Sequence, residues 1–149
     1  MRNERQSVME KRDVVDSCMC NKVRAAARSV TSAYDEALRP LGLRATQLAV
    51  LAAVGIDGSA SITALAKLLS MDRSTLSRNL GPLEKEGLVS IGVEGWRRSR
   101  MLEITEKGRS LLSKALPIWE RAQRALHRKL GDEGWTRVRE SLDRLLSLK

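Results

Sequence analysis

The chain has 149 residues, a length that fits one domain. Hydrophobic residues make up 42% of it, and aromatic residues are few (three Trp, one Tyr and no Phe), so the predicted core is aliphatic. Its 27 lysines and arginines against 18 aspartates and glutamates give a formal net charge of +9, which favours an anionic partner, either nucleic acid or an anionic membrane surface. No apolar run reaches the ~18 residues that a membrane-spanning helix needs, and the charged start leads into no signal-peptide core. We therefore expect a cytoplasmic protein.

The residues that usually hold metals or perform catalysis are sparse. Two cysteines, Cys18 and Cys20, cannot complete a four-ligand zinc site, and the single histidine, His127, lies far away in the sequence. The sequence contains no Gly-rich phosphate loop and no carboxylate pair in an apolar setting. It therefore predicts no metal, no cofactor and no enzymatic activity.

The first part of the chain predicts four helices, at about 14–38, 45–54, 61–69 and 73–86. Pro40 and Gly42 end the first of them, which we expect to be continuous. Ile62 is a candidate residue of a minimal strand just before the third.

The fourth of these helices has clear signals for its start and for its buried face. Asp72 is the expected N-cap, and Leu76, Leu80 and Leu83 recur at the spacing of one helix face. Pro82 lies inside this helix, where a proline costs roughly 3 kcal/mol when nothing compensates. Because the leucine stripe continues in phase beyond Pro82, we expect a bend there and not a break.

A β-hairpin with a basic tip follows the fourth helix. Residues 88–93 and 101–104 have the composition of strands, and the basic segment 94–100 joins them. Helix, turn, helix and then a two-stranded hairpin is the element order of a winged helix-turn-helix. In that arrangement the second helix of the pair enters the DNA major groove, and the hairpin tip reaches the backbone or the adjacent minor groove.

The exposed face of the fourth helix over residues 73–78 carries bases and hydroxyls but no acid. A solvated helix face usually mixes acids and bases, so these arginines are either ordinary surface or an anion-binding face. The second basic cluster, on the hairpin, favours DNA, whereas a membrane role would need the bases on one amphipathic helix. The predicted DNA-binding residues are Arg73, Ser74, Thr75, Ser77, Arg78, Arg97, Arg98 and Arg100.

The C-terminal part predicts two more helices. A long helix is expected from about 106 to 130, with a kink at Pro117, and Gly131 ends it. Asp132 is the expected cap of the last helix, whose apolar stripe consists of Trp135, Val138, Leu142, Leu145 and Leu146. The winged core does not account for the apolar helices at both ends, so they need a partner surface.

Three stretches of the sequence carry a family resemblance. They are 71–89, with MDRST and LEKEGLV, 97–108, with RRSR and LEITEKG, and 34–47, with YDEALRPLGL. Together they resemble the MarR family of transcriptional regulators over about residues 14–148. The resemblance implies a homodimer with interlocking terminal helices that binds a near-palindromic operator, usually as a repressor released by a ligand or an oxidant.

We therefore expect a mainly α (α+β) fold in a single domain, 1–149. Residues 44–105 would form the winged helix-turn-helix core, and about 14–43 and 106–148 the dimerisation helices. The expected function is sequence-specific regulation of transcription at a double-stranded DNA operator. The alternative is an architectural DNA-binding protein without an effector, which would coat DNA by shape and not by sequence.

The signal that such a regulator would sense is open. The spacing of Cys20 and Tyr34 resembles the peroxide-sensing branch of the family, where a reactive Cys is hydrogen-bonded to a Tyr of the partner subunit. The branch's other tyrosines are replaced by Arg24 and Ala45. Alternatively, both cysteines pack at the dimer interface as small hydrophobes, and a bridge from Cys18 to Cys20 within one unbroken helix is geometrically poor. A small-molecule effector is the other candidate.

Three further side chains receive structural interpretations. His127, on a polar stretch of a long helix, is interpreted as solvated surface. Trp119 and Trp135 are interpreted as anchors of the dimer core and not as ligand platforms.

Overall fold

A computed structural model describes residues 11–57, 59–94 and 99–148. The fold is mainly helical with a small sheet, as the sequence predicted. Its elements are α1 (helical at 11–17), α2 (Met19–Leu38), α3 (Ala45–Asp57), β1 (Ser59–Ser61), α4 (Ile62–Leu68), α5 (Arg73–Lys85), β2 (Val89–Glu94), β3 (Ser99–Ile104) and α6 (Glu106–Leu146). A 3₁₀ turn at Arg39–Leu41 follows α2, and Gly42 closes it with a φ of 68°. No helix in the described ranges is long and apolar enough to cross a membrane.

The sheet has three antiparallel strands in the order β1–β3–β2. Leu102 lies at its centre, opposite Ala60 on one side and Ile91 on the other, and it is fully buried. The minimal strand predicted near Ile62 exists, but it ends at Ser61. The Ser61 hydroxyl accepts a hydrogen bond from the Ala64 N–H at 3.1 Å, so this residue caps α4 and places Ile62 in the helix.

The core is aliphatic and is built around α3, α4, α5 and the sheet. The leucine stripe of α5 is buried as predicted, and α5 continues as a helix through Pro82 to Lys85. The fully buried large side chains are Leu38, Leu51, Leu65, Leu76, Leu83, Leu88, Leu102, Val50, Val54 and Val89.

The expectation of one unbroken N-terminal helix was wrong. Cys18 has an extended backbone, with φ −64° and ψ 117°, and separates α1 from α2. The side-chain amide of Asn21 donates to the carbonyl of Val14 across this break at 3.4 Å, so a polar side chain competes with continuation of the helix. The objection that Cys18 and Cys20 cannot approach within a continuous helix therefore does not apply.

The second predicted helix also differs, because α3 continues past Val54 to Asp57. Gly55 does not end it. A Cβ at this glycine would lie 3.2 Å from the Leu112 side chain of α6, so the glycine allows the two helices to pack closely.

Gly131 interrupts α6 as predicted, with φ 71° and ψ 166°, and divides it into two arms, 106–130 and 132–146. The first arm continues through Pro117. At the break, His127 Nε2 lies 3.0 Å from an Asp132 carboxylate oxygen, and the imidazole ring lies 5.0 Å from the Trp135 ring. The interpretation of His127 as solvated surface was therefore incomplete, because its side chain packs at the junction of the arms.

Candidate nucleic-acid interface

Helices α4 and α5 form a helix-turn-helix pair. In the turn between them, Met71 N donates to Ala66 O at 2.9 Å, and Ser70 has a φ of 51°, in the left-handed region. Helix α5 packs against α3 and α4. Because the apolar stripe of α5 faces those helices, its opposite face is exposed.

Asp72 caps α5 and organises its first turn. Its carboxylate accepts hydrogen bonds from Ser74 Oγ at 2.5 Å, from Thr75 Oγ1 at 2.7 Å and from Thr75 N at 2.7 Å. The hydrogen bonds from Ser74 and Thr75 hold the pKa of the Asp72 carboxyl far below its ordinary value. The Asp72 carboxylate is therefore charged at neutral pH. It lies at the N-terminus of α5, where the helix dipole favours an anion.

The structure brings the five predicted residues of α5 together on the exposed face. Arg73, Ser74, Ser77 and Arg78 are exposed, and Thr75 is half-buried. Arg78 Nη2 donates to Thr75 Oγ1 at 3.1 Å. Within the described residues Arg73 and Ser77 form no side-chain hydrogen bond, so both have donors available for a ligand. The hydroxyl hydrogens of Ser74 and Thr75, in contrast, point to Asp72.

The predicted hairpin is present. Strands β2 and β3 pair in antiparallel register, with Val93 opposite Arg100 and Glu94 opposite Ser99. The backbone of Arg100 thus lies at the start of β3, whereas its side chain is not among those that the structure describes. Arg97 and Arg98 lie outside the described residues.

Two residues that sequence reasoning did not single out form side-chain hydrogen bonds to the backbone of α5 or of its C-terminal end. Asn79 Nδ2 donates to Thr75 O at 2.9 Å, within the helix. Lys107 Nζ, at the start of α6, donates to the Glu86 carbonyl at 2.6 Å, at the C-terminal end of α5. The second contact joins residues 21 positions apart. No local spacing signal identifies such a pair.

The predicted sensor residues are separate within this chain. Cys20 is exposed and Cys18 half-buried, both at the start of α2. Tyr34 lies near the end of α2, roughly 21 Å further along the helix at 1.5 Å per residue. Its hydroxyl donates to Gln123 Oε1 of α6, and burial raises its pKa above the ordinary value. A contact between Cys20 and Tyr34 therefore requires a second chain.

A cavity of about 450 Å³ lies between α2, α3 and the first arm of α6. Its wall is almost entirely apolar, with the Tyr34 ring at one side. The lining residues are Tyr34, Leu38, Ala45, Leu48, Ala49, Ala52, Leu116 and Trp119. In the parts of the chain that the structure covers, no cluster of three or more His, Cys, Asp or Glu could hold a metal ion.

Similarity to known proteins agrees with this geometry. A profile of the MarR family matches residues 41–99, whereas no curated protein sequence matches the chain. The structure resembles that of the Mycobacterium tuberculosis transcriptional regulator MosR in complex with DNA, with 38% identity, a TM-score of 0.78, and 86% of this chain and 92% of that chain covered.

Two more distant structures share the fold. A cysteine-to-serine mutant of Escherichia coli MarR in complex with operator DNA has a TM-score of 0.79 at 19% identity, with 89% of this chain and 97% of that chain covered. Bordetella bronchiseptica BpsR, whose DNA binding is regulated by 6-hydroxynicotinic acid, has a TM-score of 0.74 at 20% identity, with 84% and 96% covered. The winged helix-turn-helix, the family profile and the identity to MosR agree: the chain belongs to the MarR family of DNA-binding transcriptional regulators.

Proposed function

We propose that this chain is a homodimeric repressor that binds a near-palindromic DNA operator and is released by a small-molecule ligand or an oxidant. The observation that carries the proposal is the exposed face of the first two turns of α5, residues 73–78, which is basic, rich in hydroxyls and contains no acid beyond the cap Asp72. The MosR–DNA complex, at 38% identity, supports DNA as the partner of this chain.

Helix α5 would insert its exposed face into the major groove. Arg73 and Arg78 suit base recognition, because a guanidinium can pair bidentately with guanine. Ser77 suits a phosphate contact, and Ser74 and Thr75 could offer a donor hydrogen only after leaving Asp72. The wing would hold the DNA backbone or the minor groove through Arg97, Arg98 and Arg100.

The exposed apolar side chains of the terminal helices support a dimer. They occupy both α1–α2 and the second arm of α6, far from the winged core in sequence, and such a surface is unusual in a monomer. We assign 44–105 to the DNA-binding core and about 14–43 and 106–148 to dimerisation, within one domain, 1–149. The exposed side chains of these elements include Val14, Val15, Met19, Val30, Val138, Leu142, Leu145 and Leu146.

The cavity beside Tyr34 supports a small, largely apolar effector. Its volume of about 450 Å³ suits a small organic molecule. It is lined by α3 of the winged core and by α2 and α6 of the proposed dimer base, so an occupant would alter how these parts pack. BpsR, which has the same fold, responds to 6-hydroxynicotinic acid.

Footprinting on the DNA that flanks the gene tests the proposal. A sequence-specific dimer protects a short site whose half-sites are about one helical turn apart, at 34–36 Å. Uniform protection without a preferred site would instead support the architectural alternative. Loss of the footprint on adding hydroperoxide or a small aromatic acid would identify the class of signal.

A further inference from the structure

The Thr75 hydroxyl lies between a carboxylate and a guanidinium on the exposed face of α5. Thr75 Oγ1 donates to Asp72 Oδ2 at 2.7 Å and accepts from Arg78 Nη2 at 3.1 Å. The three side chains, spaced three residues apart, form one strip along the helix. We propose that Thr75 is a positioning residue for operator recognition, which orders the Arg78 side chain before DNA binds by tying it to the N-cap Asp72. This inference rests on the proposed role of Arg78 in base recognition.

The polarity of this strip is fixed by the chemistry of its members. A carboxylate only accepts hydrogen bonds, a guanidinium only donates them, and a hydroxyl has one hydrogen and two lone pairs. The Thr75 hydrogen must therefore point to Asp72, and a lone pair must face Arg78. Bonds to charged groups are stronger than neutral ones, and both bonds of this hydroxyl have a charged partner.

The benefit of the arrangement is preorganisation. An arginine loses much rotamer freedom when it docks on a base edge, and ordering it beforehand is worth about two- to tenfold in affinity. The bond to Thr75 uses one of the five guanidinium N–H donors, so a bidentate pair with guanine remains available. A defined orientation of the guanidinium matters for contacts to base edges, which read the sequence. Contacts to phosphates are the same on operator and random DNA, because they carry no sequence information. The gain therefore falls on operator preference and not on binding to random DNA.

Arg73 is the matched reference on the same helix. It is exposed like Arg78, but within the described residues its guanidinium makes no hydrogen bond to the strip. The structure therefore gives the two arginines different freedom before DNA binds.

The first test measures this difference without DNA. ¹⁵N relaxation of the arginine Nε–Hε groups should show Arg78 more ordered than Arg73 in the unmodified protein. Thr75→Val is nearly isosteric and keeps the backbone N–H that Asp72 caps, so it should mobilise Arg78 while the circular dichroism spectrum stays unchanged. Thr75→Ser keeps the hydroxyl and should keep Arg78 ordered. Equal mobility of the two arginines in the unmodified protein would overturn the proposal whatever Arg78 does on DNA.

The second test is a pair of double-mutant cycles on operator preference, the ratio of affinities for operator and random DNA. Thr75→Val should lower this ratio about two- to tenfold. The same loss should appear in an Arg73→Ala background and disappear in an Arg78→Ala background. An equal loss in both backgrounds would overturn the positioning role.

The cycles also separate this inference from the function on which it rests. If Arg78→Ala lowers operator preference and Thr75→Val does not, only the positioning role is wrong. If Arg78→Ala leaves operator preference unchanged, the recognition role of Arg78 fails, and the inference fails with it.

Discussion

Gly108, in the first turn of α6, lies directly against the backbone carbonyl of Leu88: a Cβ added to the glycine would fall 2.1 Å from that oxygen. Thr105 holds the same loop, since its hydroxyl donates to Gly87 O at 2.7 Å and accepts from Gly108 N at 3.0 Å. These contacts join the start of α6 to the loop after α5. The orientation of α5 is thereby coupled to the helix proposed to form the dimer.

Gly108→Ala should destabilise the fold. The added methyl group must displace backbone and not a flexible side chain, and overpacking of this kind costs about 1–3 kcal/mol. Urea unfolding followed by circular dichroism measures the loss. Gly134→Ala, in the second arm of the same helix, is the control: its added Cβ would meet Leu130 Cβ at an ordinary 3.6 Å. We expect the control to be neutral or to stabilise the helix by up to ~1 kcal/mol, and equal losses in the two variants would contradict the steric explanation.

Asp72 should make stability depend on pH in the acid range. Its folded-state pKa is lowered from the ordinary 3.8 by the hydrogen bonds from Ser74 and Thr75. A lowered folded pKa gives stability that is fully present above the unfolded pKa and is lost as the pH falls through the interval below it. The difference in stability between the unmodified protein and Asp72→Asn should therefore be constant from about pH 5 to 8 and shrink below about pH 4. A difference that did not change with pH down to about 3 would refute this account.

Helix and wing substitutions should affect DNA binding differently. Arg73→Ala or Arg78→Ala should reduce operator preference by about 1–3 kcal/mol if the residue pairs with a base edge. Arg98→Ala should instead weaken operator and random DNA alike and flatten the salt dependence, as the loss of a phosphate contact does. Gel shifts on both DNAs over a range of salt concentrations separate the two effects. Unchanged preference in both helix variants would reject the recognition-helix assignment.

The second arm of α6 offers a test of the dimer. Leu142 is 45% exposed in the single chain, so Leu142→Lys should leave the protomer folded while placing a charge in the proposed interface. We expect sedimentation to show monomers and the operator footprint to be lost. Glu140→Lys, on the opposite face of the same turn, should stay dimeric.

Truncation after Leu116, which removes most of α6, should also abolish the dimer and tight binding to the operator. A truncated monomer that still protected a full palindrome would contradict the assignment of α6 to dimerisation.

Sequence patterns predicted the elements whose determinants are local. The capping signal at Asp72, the leucine stripe of α5 and the break at Gly131 all depend on residues within one or two helical turns. Each is present in the structure. The same kind of local reasoning placed the five candidate residues of α5 on one exposed face.

Features that depend on contacts distant in sequence could not be predicted this way. Gly55 looked like the end of α3, but its function is to admit Leu112 of α6. The break at Cys18 is a local feature, but it has no Gly or Pro to mark it. The hydrogen bond from Tyr34, which lines the cavity, to Gln123 joins residues 89 positions apart. Periodicity carries no information on such pairs.

The thiols can be tested as a sensor through three positions. Cys20 is exposed at the start of α2, where hydroperoxide can reach it, and the resulting polar sulfur would disturb an apolar interface. The Tyr34 hydroxyl donates to Gln123 and retains lone pairs that could accept from a thiol of a partner subunit. Oxidation at that contact would change the spacing of the two winged lobes. Because both lobes must fit successive major grooves, a small change in spacing can remove most of the affinity.

Cys20→Ser should therefore bind the operator normally yet resist release by hydroperoxide, whereas Cys18→Ser should still be released. Tyr34→Phe keeps the packing but removes the hydroxyl, so its response should lie between that of Cys20→Ser and that of the unmodified protein. Gel shifts over a hydroperoxide titration measure all three variants. Resistance of Cys18→Ser as well would show that both thiols react, which the helix break at Cys18 permits. If the unmodified protein stays bound at concentrations that oxidise exposed thiols, the cysteines are structural, and the cavity beside Tyr34 becomes the place where the signal acts.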